Sequence, residues 1–201
     1  LPPRLLDRLE RGLTRGAGLL LILDYDGTLT PIVPSPDAAV LAASVRGTLS
    51  RLAASGRARV AILSGRALAD LRARVGLANV VYGACHGLEI AGGGVRFRHP
   101  HARAAGVAAA SRALAAGAGS IAGARVEWKG LAVTLHYRRV APARRGEVRA
   151  LAAAVARRAP DLAVVSGREV FDFVPRVAWD KGRAALWIAR RVARAVGPPP
   201  P

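Results

Sequence analysis

The residues with the most chemical potential in this 201-residue chain stand in Leu19–Pro31, which reads LLLILDYDGTLTP. Asp24 and Asp26 are two apart and follow directly on five apolar residues, Leu19 to Leu23. A short unbroken apolar run ending in turn residues predicts a strand buried on both faces, as in a parallel sheet. Strand residues two apart share a face, so the two carboxylates can project together where the strand ends. Such strand ends are where open α/β sheets bind their ligands. Two carboxylates there repel each other unless a cation or a proton settles them. An isolated D-x-D reads more plainly as a strand before an Asp-Gly turn. Here the apolar run, both acids, Gly27 and Thr28 fall in order, which is more specific.

Further polar residues stand at comparable places. Ser64 follows the apolar run Arg59–Leu63 and precedes a predicted helix, Ala67 to Val75. It reads as an ordinary helix N-cap or as a phosphate ligand working with the helix N-terminus. Arg66 beside it reads as a solvent-facing helix arginine or as a substrate ligand. Lys181, in Trp179-Asp180-Lys181-Gly182, opens a helix to about Val196, with Asp180 as its cap. Lys181 and Lys129 are the two lysines of a chain that writes its other cations as arginine. An ammonium is a compact point charge that arginine does not replace against a small anion. Lys181 therefore suits phosphoryl oxygens whose charge changes during transfer.

Strand and helix signals alternate through the first half. A helix precedes the first strand (Leu5, Leu6, Leu9, Leu13), and Pro31, Pro34 and Pro36 enforce an extended loop. Asp37 can cap a helix to about Ala54, Arg59–Leu63 is a second strand, and Asn79–Gly87 a third. This is the pattern of an α/β doubly wound parallel sheet. The pattern then changes. Glu89–Arg98 holds three glycines between two short strands and predicts a hairpin. A helix from about Ala102 to Ala116, strands at Val126–Lys129 and Leu131–Arg138, a helix over 144–158, and strands at Leu162–Val165 and Glu169–Val174 follow. This block predicts a small α/β domain with an antiparallel sheet inserted into the parallel one, over 88–175. The core is then 1–87 and 176–201.

Composition restricts the function classes. At 52% hydrophobic the chain can bury one substantial core or two small ones. The net charge of +18 raises nucleic acid or a membrane surface as a partner. The arginines, however, come in singles and pairs, with no long basic run and no aromatic strip, so neither is expected. No apolar run approaches the roughly 20 residues of a membrane span. The single cysteine, Cys85, forms no internal disulfide and predicts a reducing, cytoplasmic setting. It reads as a core residue, since nothing nearby lowers its pKa. The chain begins at Leu1 and contains no methionine, so it is expected to be a piece of a longer product, with a preceding targeting segment left open.

The string DYDGTLTPI resembles the first motif of the haloacid dehalogenase superfamily of phosphatases, and its extended form is similar to that of trehalose-6-phosphate phosphatases. The resemblance spans about Leu19 to Ala193. It implies that Asp24 is a nucleophile forming an aspartyl-phosphate and that Asp26 is the general acid and base. It implies a magnesium cofactor held by the Asp24 carboxylate and the Asp26 backbone carbonyl. Ser64 and Lys181 match the second and third motifs. In the inserted domain, Glu127-Trp128-Lys129-Gly130 and His136-Tyr137-Arg138 resemble the family strings E-x-K-G and H-Y-R. Arg168 and Asp172, expected two strand steps apart on one face, resemble the pair before the chain returns to the core. Family glutamate is aspartate at 172. The resemblance implies that Glu127, Lys129, Arg138, Arg168 and Asp172 bind sugar hydroxyls. Cys85-His86-Gly87 matches S-H-G with cysteine for serine, making His86 a minor substrate-binding candidate.

The implied function is hydrolysis of trehalose 6-phosphate, with sucrose phosphate or another sugar phosphate as alternatives. A non-catalytic sugar-phosphate-binding module is a further alternative, and association with trehalose-phosphate synthase is an implied partnership. The family's fourth motif, an acid-bearing G-D-D after a further strand, has no counterpart after Asp180. Pro198–Pro201 cannot supply a buried strand. The expectation is therefore that the chain as given lacks one metal carboxylate, binds sugar phosphate and turns over little.

Overall fold

A computed structural model describes residues 3–14, 18–33 and 36–195. The chain divides into two compact units, Leu1–Phe97 with Trp179–Pro201, and Arg98–Ala178. No helix among the described residues is long and apolar enough to cross a membrane.

The first unit holds helix α1 (Pro3–Thr14), then strand β1 (Leu19–Asp24), helix α2 (Ala43–Ala54) and strand β2 (Ala58–Leu63). Helix α3 (Leu68–Val75), strand β3 (Val80–Ala84) and the hairpin β4 (Glu89–Gly92) and β5 (Val95–Arg98) follow. The sheet order is β1-β2-β3-β4-β5. β1, β2 and β3 are parallel, and β4 runs antiparallel to β3, with Gly83 opposite Ile90. The hairpin predicted for the inserted domain thus extends the first sheet. Its short turn lets β4 run straight back beside β3.

Alternation along β2 explains why its run is continuously apolar. Val60 and Ile62 pack with Leu49 of α2 and Leu71 and Val75 of α3. Ala61 and Leu63 face the other way, against Ala184, Ile188 and Val192 of helix α6 (Lys181–Ala195). A strand covered by helices on both faces cannot alternate apolar with polar. β1 differs from the expectation of full burial. It ends the sheet order, and all six of its residues are partly exposed.

The start of α2 also departs from the sequence reading. Asp37 lies in a separate 3-10 turn, Pro36–Ala38, and the helix begins at Ala43 without a side-chain cap. The Asp37 carboxylate lies 3.6 Å from Arg74 instead. Pro34 and the terminal Pro198–Pro201, to which sequence expectations were attached, lie outside the described residues.

The seat of α6 is set by one turn. After β3 the chain passes through Cys85, His86 and Gly87 with φ of 47°, 60° and 87°. Left-handed backbone at two successive non-glycine residues is strained and needs support. Support comes from Cys85 N donating to Arg66 O (2.8 Å) and His86 N donating to Ser64 O (3.0 Å). Trp179 Nε1 donates to Gly87 O at 2.8 Å. A Cβ on Gly87 would strike the Ala184 Cβ, so α6 sits against bare backbone. Asp180 caps the helix as predicted, its Oδ1 accepting from Arg183 N at 2.8 Å.

The second unit holds helix α4 (Ala104–Ala118), β6 (Arg125–Trp128), β7 (Val133–His136), helix α5 (Arg145–Arg158), β8 (Leu162–Gly167) and β9 (Val170–Pro175). Its antiparallel sheet has the order β6-β7-β9-β8. One face carries Val133, Leu135 and Phe173 against Val107 and Leu114 of α4 and Val148 and Val155 of α5.

Gly87→Ala is expected to cost about 2–4 kcal/mol, combining the left-handed backbone penalty with overpacking against Ala184. Gly94→Ala, also at positive φ (80°) but with open space around the new methyl, should cost only about 1 kcal/mol. Urea unfolding of both variants checks the difference.

Candidate functional site

The residues predicted to carry chemistry fall into two groups, one in each unit. In the first unit they gather at the carboxyl ends of β1, β2 and β3. Asp24 is the last residue of β1, in register with Leu63 of β2. Its Oδ1 accepts from Tyr25 N at 2.9 Å, and its Oδ2 accepts from Lys181 Nζ at 2.8 Å. The Asp24 side chain is 42% exposed and that of Lys181 38%, so a charged pair stands open at the sheet edge.

Tyr25 turns the opposite way. It is fully buried, and its hydroxyl donates to Ala39 O at 3.0 Å. Burial pushes its phenol above the ordinary value, so it remains protonated.

Asp26 lies beyond β1, in a turn bridged to Thr30. Its Oδ1 accepts from Arg66 Nη2 at 2.7 Å, and its Oδ2 from Arg66 Nε at 3.0 Å and Ser64 Oγ at 3.3 Å. Ser64 is fully buried and is not the cap of α3, which begins four residues later behind Ala67. Its hydroxyl oxygen also accepts from Arg66 N at 3.2 Å. Between them, Gly65 lets the His86 ring lie against the backbone, since a Cβ there would come 2.8 Å from His86 Cε1. Cys85 is buried, as expected of a core cysteine.

Arg66 is not the solvent-facing helix arginine that the sequence offered as one reading. Its side chain is only 7% exposed, and it donates to Asp26, to Asp70 Oδ2 (2.9 Å) and to Pro36 O (2.8 Å). Asp70 in turn accepts from Arg74 Nε at 2.8 Å. Burial works against the Arg66 charge, and the hydrogen bonds to Asp26 and Asp70 outweigh it, raising its pKa. Burial likewise favours neutral Asp70, and the bonds from Arg74 and Arg66 more than reverse this, lowering its pKa. Sequence reasoning passed over Asp70 and Arg74. The signal was present, as Arg66, Asp70 and Arg74 follow one another at four-residue spacing, one turn apart on a helix.

In the second unit, Glu127, Thr134 and Asp172 stand opposite one another across β6, β7 and β9. Thr134 Oγ1 donates to Asp172 Oδ1. Lys129 Nζ lies 3.5 Å from Asp172 and 3.9 Å from Glu127, with its side chain 9% exposed. His136 Nε2 contacts Glu127 Oε2 at 2.7 Å. Thr134 and His136 join a cluster in which only Glu127, Lys129 and Asp172 were expected.

Arg138 Nε instead donates to Glu169 at 2.9 Å, a residue shared with Arg145 at 2.8 Å and not predicted. Arg168 is not on the strand face with Asp172. It is exposed in the turn between β8 and β9, because Glu169 has φ of 63° and breaks the two-residue alternation.

The geometry can be compared with known proteins. The sequence model of the family described as Trehalose-phosphatase matches residues 22–200. The chain belongs to the trehalose-phosphatase family. A trehalose-phosphate phosphatase of Mycobacterium avium is 42% identical over 178 residues, covering 87% of this chain and 45% of that protein. A protein of Mycobacterium tuberculosis named as an uncharacterized glycosyl hydrolase is 43% identical over 197 residues, covering 95% of this chain and 14% of its own length. The chain thus spans under half the length of these relatives. The C-terminal domain of Candida albicans trehalose-6-phosphate phosphatase superposes with a TM-score of 0.76 at 25% identity, over 90% of this chain and 65% of that one. The fold is that of a haloacid dehalogenase-like trehalose-phosphatase, as the motifs implied.

Because the pKa of Asp70 is lowered on folding, its contribution to stability is complete above the ordinary value of 3.8 and is lost as pH falls through the depressed folded value. The stability gap between wild type and Asp70→Asn should therefore be full at neutral pH and close in acid. Urea midpoints measured from pH 7 to pH 2.5 check this.

Proposed function

We propose that the chain is the phosphatase part of an enzyme that hydrolyses trehalose 6-phosphate through an aspartyl-phosphate on Asp24. The observation that carries this reading is the open carboxylate of Asp24 at the end of β1, 2.8 Å from the Lys181 ammonium. A carboxylate that faces solvent beside a single cation is accessible, as a nucleophile toward phosphorus must be. Lys181 then passes from the carboxylate to the phosphoryl oxygens as charge moves onto them. Asp26, two residues on, gives its proton to the departing sugar oxygen and later takes one from the attacking water. Ser64 holds the Asp26 carboxylate from the buried side. Its single hydroxyl proton reaches a phosphoryl oxygen only by turning away from Asp26.

Magnesium fits the donors present. The Asp24 carboxylate and the Asp26 backbone carbonyl are hard oxygen ligands, and magnesium in phosphoryl-transfer sites needs one or two carboxylates besides phosphate and water. Among the described residues, no group of three acidic, histidine or cysteine side chains is arranged to hold a metal by itself. When bound, the ion neutralises charge between the nucleophile and the anionic substrate.

The second unit is assigned to sugar recognition. Glu127, Lys129, Thr134, His136 and Asp172 offer donors and acceptors in one cluster, which suits the hydroxyls of a disaccharide. Arg138 and Arg168 remain in this assignment because their strings resemble the family's. The single buried cysteine suits a reducing, cytoplasmic setting, and a trehalose-phosphate synthase is the natural partner to supply the substrate. An alternative occupant of the same site is another sugar phosphate, which a substrate panel separates by kcat/KM.

Asp24→Asn should abolish both turnover of trehalose 6-phosphate in magnesium and acid-stable phosphorylation of the protein. Turnover by Asp24→Asn near the wild-type rate would sink the nucleophile assignment. Lys129→Met should raise KM for trehalose 6-phosphate about tenfold with kcat little changed, the size of one charged hydrogen bond. Steady-state kinetics check the split.

A further inference from the structure

The Asp26 side chain is 46% exposed and stands in a turn, so no apolar packing fixes its direction. What fixes it is the Arg66 fork, with Nη2 and Nε spread over both carboxylate oxygens at 2.7 and 3.0 Å. Arg66 is a long side chain with about 2 kcal/mol of rotamer entropy to lose, so the fork is only as firm as what holds the guanidinium. Three contacts do so. Asp70 Oδ2 accepts from Nη1 at 2.9 Å, Pro36 O accepts from Nη2 at 2.8 Å, and the Tyr25 ring lies beneath, with its centroid 5.2 Å from Cζ. Asp70 is the charged member of the three, and Arg74 orients it with Nε bonds of 2.8 and 2.9 Å to its two oxygens. Arg74 also ties α3 to the 3-10 turn, donating to Asp37 O at 3.2 Å.

We propose that Asp70, which touches neither substrate nor Asp26, is a positioning residue that aims the Asp26 carboxyl at the leaving group through Arg66. The proposal rests on the phosphatase reading above. In the first half-reaction an Asp24 oxygen forms a bond to phosphorus, the bond from phosphorus to the sugar oxygen breaks, and the Asp26 proton goes to that oxygen. In the second, water oxygen bonds to phosphorus, its proton goes to Asp26, and the Asp24–phosphorus bond breaks. Proton delivery needs heavy-atom distances of about 2.6–3.2 Å, and a misplacement of about 1 Å costs on the order of a hundredfold. Loosening the guanidinium at Nη1, which Asp70 holds, therefore damages the proton transfer while leaving Asp24 and Lys181 in place.

A sugar alkoxide is a strong base that cannot leave unprotonated, whereas p-nitrophenolate is a weak base that leaves without help. A positioning defect at Asp26 consequently depends on the leaving group, and general damage does not. The experiment compares wild type and Asp70→Asn, both in the full-length product, on trehalose 6-phosphate and p-nitrophenyl phosphate, by kcat/KM, which reports the first phosphoryl transfer. The expected result is a loss of about tenfold or more on the sugar phosphate and under about threefold on the aryl phosphate, within the range a general acid contributes. Arg74→Gln, which loosens Asp70 without removing it, should show the same contrast at smaller size and serves if Asp70→Asn fails to fold. Equal losses on both substrates, or no loss on either, overturn the positioning role. If wild type prefers another sugar phosphate, the contrast is read on that compound, and only the substrate assignment falls. If wild type turns over neither class, the phosphatase reading fails and the positioning role falls with it.

Discussion

The Lys181 ammonium meets the Asp24 carboxylate at 2.8 Å across 157 positions of sequence, and the arrangement of the first unit follows from making that meeting repeatable. The pair does not hold itself together. Both side chains are more than a third exposed, and exposed ion pairs contribute between nothing and about 1 kcal/mol. The geometry comes from apolar packing. Ala184, Ile188 and Val192 lie one and two turns apart on α6 and bury against Ala61, Leu63, Val81 and Ile90. Gly87 allows the first turn of the helix close enough, and the Trp179 indole fixes its rotation through Gly87 O. Lys181 is therefore delivered by the hydrophobic face of the helix that it begins.

The same logic explains the strained turn at Cys85–Gly87. Its backbone donors bond to the carbonyls of Ser64 and Arg66, so the loops after β2 and β3 are joined into one support. A relaxed turn would place neither the Gly87 carbonyl under Trp179 nor the His86 ring against Gly65. The left-handed angles at Cys85 and His86 are thus a cost of some kcal/mol borne by surrounding hydrogen bonds. Strain of this kind collects where side chains must converge.

Much of this was legible in the sequence where local physics decides. The apolar runs ending in Asp24 and Ser64 gave the parallel strands, and Asp180 before Lys181 gave a helix start with its cap. Two of the failures share one cause, a distant partner outweighing a local preference. Asp37 has the right side chain to cap a helix but lies near Arg74. Ser64 has the right position for a cap but turns its hydroxyl to Asp26. The Glu89–Arg98 hairpin was read correctly as a hairpin, yet nothing local says which sheet it joins. Arg168 illustrates the reverse. Strict alternation placed it beside Asp172, and a single positive φ at Glu169 undid the period.

The charge balance is most useful when read through its scarcer members. An excess of arginine gives a net charge of +18 and suggests a polyanionic partner. The informative residues are the scarce acids. Of thirteen, Asp24, Asp26, Asp37 and Asp70 stand in the ion pairs of the first unit, and Glu127, Glu147, Glu169 and Asp172 in those of the second. Asp180 caps the helix that carries Lys181. In a chain with so many cations, a surface acid finds a neutralising neighbour anywhere, so its mere pairing is uninformative. A buried cation is different. Arg66 at 7% exposure and Lys129 at 9% must be matched by carboxylates held in fixed positions, because an unmatched charge there costs several kcal/mol. Each acid that meets this requirement is constrained in direction as well as in place. A carboxylate constrained in direction is what proton delivery or hydroxyl recognition needs, so the residues that neutralise the buried cations are also those with a defined geometry to offer a substrate.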